Sequence, residues 1–99
     1  MNIRPNGYIR QMHPDSEEAI FQKIQEIIVN VTGNSPRDIF PGARLVDDLG
    51  FESMEDVEVL QALEEEYHIT ITQDDVGDLL TFHHLHQMIV KKVEEKTSR

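Results

Sequence analysis

The sequence predicts an all-α fold: a small four-helix bundle of three main helices and one short one, with a long loop between the first and second. Three observations predict it. Apolar residues recur at helical spacing in three separate stretches, near 17–32, 53–67 and 81–95. No two period-two segments are available to pair as a sheet. The chain has 99 residues, 38% of them hydrophobic, with no Trp and no Cys. That suits one domain with a small core and no disulfide staple, which leaves helix packing to hold it together.

Residues 1–14 carry Pro5, Gly7 and Pro14 and no apolar period. They read as an N-terminal arm, expected to be flexible, ahead of a helical domain over 15–99. At the start of that domain Asp15 and Ser16 compete as N-cap, and Asp15 with Glu18 resembles a capping box. Ile20, Ile24, Ile27 and Val31 form the stripe of the first helix, widened by Phe21 and Ile28. Gly33-Asn34-Ser35-Pro36 ends it. The connection over 33–51 is long for so small a domain, which is itself a functional signal. Ile39, Phe40, Leu45, Val46, Leu49 and Phe51 are expected to pin it to the core.

The second helix, about 53–67, has no internal Gly or Pro and presents Val59, Leu60, Leu63 and Tyr67 on one face. His68-Ile69-Thr70-Ile71-Thr72 alternates like a strand but has nothing to pair with, so an extended connector is expected. Residues 73–79 read as one or two helical turns weakened by Gly77. Thr81 then caps a last helix reaching about Glu95, with Phe82, Leu85, Ile89 and Val93 inward. Lys91, Lys92 and Lys96 lie in its last turns, where cations suit the helix dipole.

The net charge is −10, and residues 45–90 hold twelve Asp or Glu and no Lys or Arg. Nucleic acid and anionic membrane surfaces are poor partners for such a block, and basic protein patches are good ones. The alternative is that the acidity only maintains solubility. The longest aliphatic run is Ile27-Ile28-Val29, far short of a membrane span, and no apolar run follows Arg4 as in a secretory signal. No membrane insertion, a cytoplasmic location and a monomeric state are expected.

Ser53 is the candidate functional residue. It follows Leu49-Gly50-Phe51-Glu52 and opens an acidic helix. Ser53 with Asp56 is close to a capping box, so the hydroxyl reads on pattern alone as a cap. The wider segment changes that reading. Leu49 through Tyr67, Leu-Gly-Phe-Glu-Ser-Met-Glu-Asp-Val-Glu-Val-Leu-Gln-Ala-Leu-Glu-Glu-Glu-Tyr, resembles the phosphopantetheine-attachment segment of acyl carrier proteins. In that family a Gly turn and an acidic residue precede the serine, and the helix ends in Leu-Glu-Glu-Glu-Phe. The resemblance spans about residues 17–95 and is most specific over 47–71. Glu52 stands where the family usually has Asp, and Met54 where it has Leu.

The resemblance implies a 4′-phosphopantetheine arm, drawn from coenzyme A, on Ser53, and a carrier of acyl thioesters in fatty acid or related biosynthesis, not an enzyme. It implies that Glu52, Met54, Glu55, Asp56, Val57, Glu58, Gln61, Glu64 and Glu65 face partners. Those would be a phosphopantetheinyl transferase and acyl-transferring or condensing enzymes with basic docking patches. Val57 lies off the apolar stripe and has two readings, an anchor among carboxylates or a buried edge of the core. A peptidyl or aminoacyl carrier of the same fold, or an unmodified acidic adaptor, are the alternatives.

Other constellations are weaker. His83 and His86 are spaced i, i+3 without an evident third ligand, and with His84 they read as surface histidines. Asp74, Asp75 and Asp78 lack the spacing of a calcium loop. No metal site and no acid–base or nucleophile–base set stands out.

Overall fold

The computed structural model describes residues 16–77 and 79–97, with backbone only for 53–56 and 97. The expected arm, Asp15 and Asp78 lie outside the described residues. The order is α1 (Glu17–Thr32), a 3-10 turn (Pro36–Asp38), α2 (Ser53–Tyr67), α3 (Gln73–Val76) and α4 (Phe82–Thr97). No strand is present among the described residues. His68 ends α2 in the left-handed region at φ 55°, residues 69–72 are a connector without regular structure, and one isolated antiparallel bridge joins Arg44 to Thr81.

Helix α1 begins at Ser16, whose Oγ accepts the Ala19 N–H at 3.1 Å, so Ser16 takes the cap that Asp15 was expected to contest. It stops at Gly33, whose φ of 79° places it in the left-handed region. Its fully buried line is Ile20, Ile24 and Ile28, with Phe21, Ile27 and Val31 packed at the flanks. The expected centre at Ile27 and Val31 is therefore shifted. Steps of four residues keep the line against α2 on one side and α4 on the other.

From α2 come Val59, Leu63 and Tyr67, while Leu60 is only partly buried. Phe82, Leu85, Ile89 and Val93 of α4 are buried as expected. The long loop is pinned by Ile39, Leu45, Leu49 and Phe51. Phe40 and Val46, expected to join them, are 51% and 65% exposed. Each sits beside a residue that claims the inward position, Ile39 and Leu45, and the chain cannot turn both neighbours inward.

Helix α3 is a single turn. Thr72 and Asp75 form a reciprocal capping box, and Gly77 ends it. At the other end of the bundle, Lys96 Nζ donates to the Tyr67 carbonyl at 2.6 Å. This lysine thus satisfies the C-terminal turn of α2, not that of its own helix.

Candidate functional site

The site is built from the loop that feeds α2. Arg44 opens it with two bonds to one carboxylate, Nε to Asp48 Oδ2 and Nη2 to Asp48 Oδ1, each 3.2 Å. Asp48 Oδ2 also accepts the Arg44 N–H at 2.8 Å. The Arg44 side-chain bonds, then its backbone N–H, hold the Asp48 carboxyl below the ordinary aspartate range. The turn is closed by backbone bonds from Gly50 to Val46 and from Phe51 to Leu45, and it is tied to the start of α4 by Leu45 N–H to Leu80 O. From the other side Asn34 Nδ2 donates to the Leu49 carbonyl at 2.8 Å.

Gly50 then reverses the chain at φ 72°, a conformation that costs other residues about 1 kcal/mol or more. Phe51 drops into the core, Glu52 points outward, and α2 starts. Ser53 is the first helical residue, and the N-cap is Glu52, in extended backbone and without a side-chain cap bond. The N-cap is therefore Glu52 and not Ser53, as a Ser53–Asp56 capping box would require. The early N–H groups of α2 are left without help from the N-cap side chain, and the positive end of the helix dipole faces the same point. Such donors at the start of α2 suit a phosphodiester in both bond chemistry and charge.

Beyond the first turn, Val57, Glu58, Gln61 and Glu65 are exposed. Val57 is 51% exposed, so it is not a buried edge of the core. Glu64 differs from its neighbours: it is half-buried, and its Oε2 accepts the Ile71 N–H at 2.7 Å. This carboxylate holds the connector to α3. The side chains of Met54, Glu55 and Asp56 lie outside the described residues.

A cavity of about 330 Å³ opens beside the segment, lined by Leu45, Val46, Phe51, Val57, Leu60 and Ile71 among others, with Val76 of α3 on its far wall. No sequence pattern announced it, because its walls come from four separate parts of the chain: the loop, α2, the segment around α3, and Leu85 of α4.

His83 and His84 are exposed as expected, and His86 is not. His86 is buried, with Nε2 2.8 Å from the Glu17 carbonyl and its ring stacked on Phe82. His84 Nδ1 accepts the Thr81 N–H at 3.3 Å, while Thr81 Oγ1 accepts the His84 N–H at 3.2 Å, which caps α4. Among the described residues no group of three or more His, Cys, Asp or Glu is arranged to hold a metal ion. No helix among them is long and apolar enough to cross a membrane.

The family model for the phosphopantetheine attachment site matches residues 22–89. The chain is 32% identical over 79 residues to the acyl carrier protein of Karelsulcia muelleri (strain GWSS), covering 80% of this chain and 95% of that protein. It is 32% identical over 77 residues to the acyl carrier protein of Solidesulfovibrio magneticus (strain ATCC 700980 / DSM 13731 / RS-1), covering 78% and 99%.

Proposed function

The chain belongs to the acyl carrier protein family, whose members bear a covalent 4′-phosphopantetheine group, and from that premise we propose that Ser53 is the attachment residue. The observation that carries this is the start of α2. Ser53 stands at the first helical position, directly after a left-handed glycine turn and an N-cap that makes no side-chain bond. The helix end favours the phosphate that this residue would bear. When bound, the arm supplies the thiol that this Cys-free chain lacks, and that thiol holds an acyl group as a thioester.

The protein's own part is to present and to shelter. It is a carrier that serves enzymes and performs no chemistry itself. Glu52, Glu58, Gln61 and Glu65, with Met54, Glu55 and Asp56 on the same helix, form the surface met by a phosphopantetheinyl transferase and by acyl-handling enzymes with basic patches. Val57 gives that surface an apolar contact. Glu64 contributes charge while remaining tied to Ile71. The apolar cavity between α2, α3 and the loop favours an acyl cargo over an aminoacyl one, because a charged amine would lose its hydration there. Fatty acid or related lipid or polyketide synthesis is the setting that such a cargo suits.

Intact mass after incubation with coenzyme A and a broad-specificity transferase tests the assignment. One phosphopantetheine is gained by the protein and none by Ser53→Ala. No gain under conditions that modify a control carrier sinks the reading and leaves an unmodified acidic adaptor.

A further inference from the structure

We propose that Asn34 is a positioning residue for the modification of Ser53: it orients the peptide before Gly50, so that the chain delivers Ser53 to the transferase in one geometry. The inference rests on the assignment of Ser53 above.

Asn34 sits two residues beyond the end of α1. Its Nδ2 donates to Thr32 Oγ1 at 2.7 Å and to the Leu49 carbonyl at 2.8 Å, and its own N–H reaches Thr32 Oγ1 at 3.2 Å. Thr32 Oγ1 in turn donates to the Ile28 carbonyl at 2.7 Å. The amide is therefore held by the last turn of α1, a helix packed on the core, and the grip passes to Leu49, fifteen positions away. That carbonyl belongs to the Leu49–Gly50 peptide. Its orientation and the φ of Gly50 are set by rotation about neighbouring bonds.

Gly50 is the residue in this stretch that constrains the backbone least. Its φ is 72°, and a methyl group there would meet no atom within 4 Å, so Gly50 itself adds no side-chain contact to a turn held by its backbone bonds and by buried Leu49 and Phe51 on either side. An outside constraint on the preceding peptide does what the glycine cannot. Only Gly50, Phe51 and Glu52 lie between Leu49 and Ser53, so a rotated peptide plane at Leu49–Gly50 displaces the entry into α2. Gln25 provides a comparison. Its Nε2 donates to the Pro36 and Ile39 carbonyls at 3.0 and 3.1 Å, the same kind of tether, but on a part of the loop remote from Gly50.

Steady-state modification of the full chain by a phosphopantetheinyl transferase and coenzyme A, with carrier concentration varied, separates positioning from stability. A carrier that is merely less folded supplies less substrate, which raises the apparent KM and leaves kcat alone. A carrier that docks through α2 but presents Ser53 wrongly keeps KM and loses kcat. Asn34→Ala, and Asn34→Asp, which preserves the shape and removes the donor, are expected to lower kcat by about tenfold with KM within about twofold. Gln25→Ala is expected to lower Tm and leave kcat unchanged. Unaltered kcat in both Asn34 variants, or an equal kcat loss in Gln25→Ala, overturns the proposal. Failure of the unsubstituted protein to gain mass instead overturns the assignment of Ser53 itself, so the two failures are distinct.

Discussion

Lys92 Nζ lies 2.8 Å from Asp75 Oδ2, joining α4 to the single turn of α3. The same oxygen accepts from Thr72 N–H at 2.8 Å and Thr72 Oγ1 at 3.0 Å. The Lys92 bond first, then the Thr72 backbone N–H, bring the Asp75 carboxyl from 3.8 down to about 2. A depressed aspartate contributes stability that is present in full above its unfolded value and is lost as pH falls through its folded one. Asp75→Asn is therefore expected to lower Tm at pH 5–7. The gap to the parent protein should narrow as pH falls below 3.8 and close near pH 2. A gap independent of pH across that window would show that the pair does not carry it.

Because Val76 lines the cavity, the same pair bears on its far wall. Amide hydrogen exchange at Val76 should speed up in Lys92→Ala, while Ile24 in the core of α1 keeps its protection. Equal acceleration at both would mean global destabilisation and no local role for the pair.

Gly50 and Gly42 separate backbone need from space. A methyl at Gly42 meets only the Phe40 ring, at 3.8 Å, while one at Gly50 meets nothing but must adopt φ 72°. Gly50→Ala is expected to cost about 1–2 kcal/mol, which for a domain this size is a Tm drop of roughly 4–16 °C. Gly42→Ala should be near neutral. Thermal unfolding of both variants checks the ordering.

The exposed carboxylates of α2 should act on encounter more than on the fold. Reversing Glu58 and Glu65 to Lys is expected to slow modification by the transferase about tenfold at low salt and to flatten its salt dependence. The parent rate should fall with salt toward that of the variant. Parallel salt curves would remove these positions from the docking surface.

Residues 45–90 hold twelve carboxylates and no Lys or Arg, and although Arg44 pairs with Asp47 and Asp48 and Lys92 with Asp75, the block stays strongly negative and self-repelling. Added salt or millimolar magnesium is expected to raise Tm. No change with either argues against self-repulsion as a limit on stability.

The segment that opens α2 was readable because its signals are local: a turn glycine, a hydroxyl and a helical period all lie between Leu49 and Tyr67. The helices were readable for the same reason, whereas the Thr72–Asp75 capping box of α3 was found only in the structure. The errors arose where neighbours compete for one inward position. Ile39 and Leu45 displaced Phe40 and Val46, and Ile28 took the place expected for Ile27. His86 was misread as a surface residue because its environment is made by Phe21, Phe82 and a Glu17 carbonyl 69 positions away.

By itself, the sequence determined the helical class, the order of elements, the acidic face and the serine that opens α2. Each depends on residues within a few turns of one another. Tertiary structure alone decided that Asn34 would hold Leu49, that Glu64 would be tied to Ile71, and that a cavity would open beside the attachment segment. Those outcomes depend on how helices already specified locally settle against each other. A side chain's partner across the bundle is set by packing geometry, which no short window of sequence contains. Ser53 lies where the two meet: its type and neighbours are written in the chain, while the loop before it is tied to Asn34 beyond α1 and to Leu80 ahead of α4 by contacts only the fold creates.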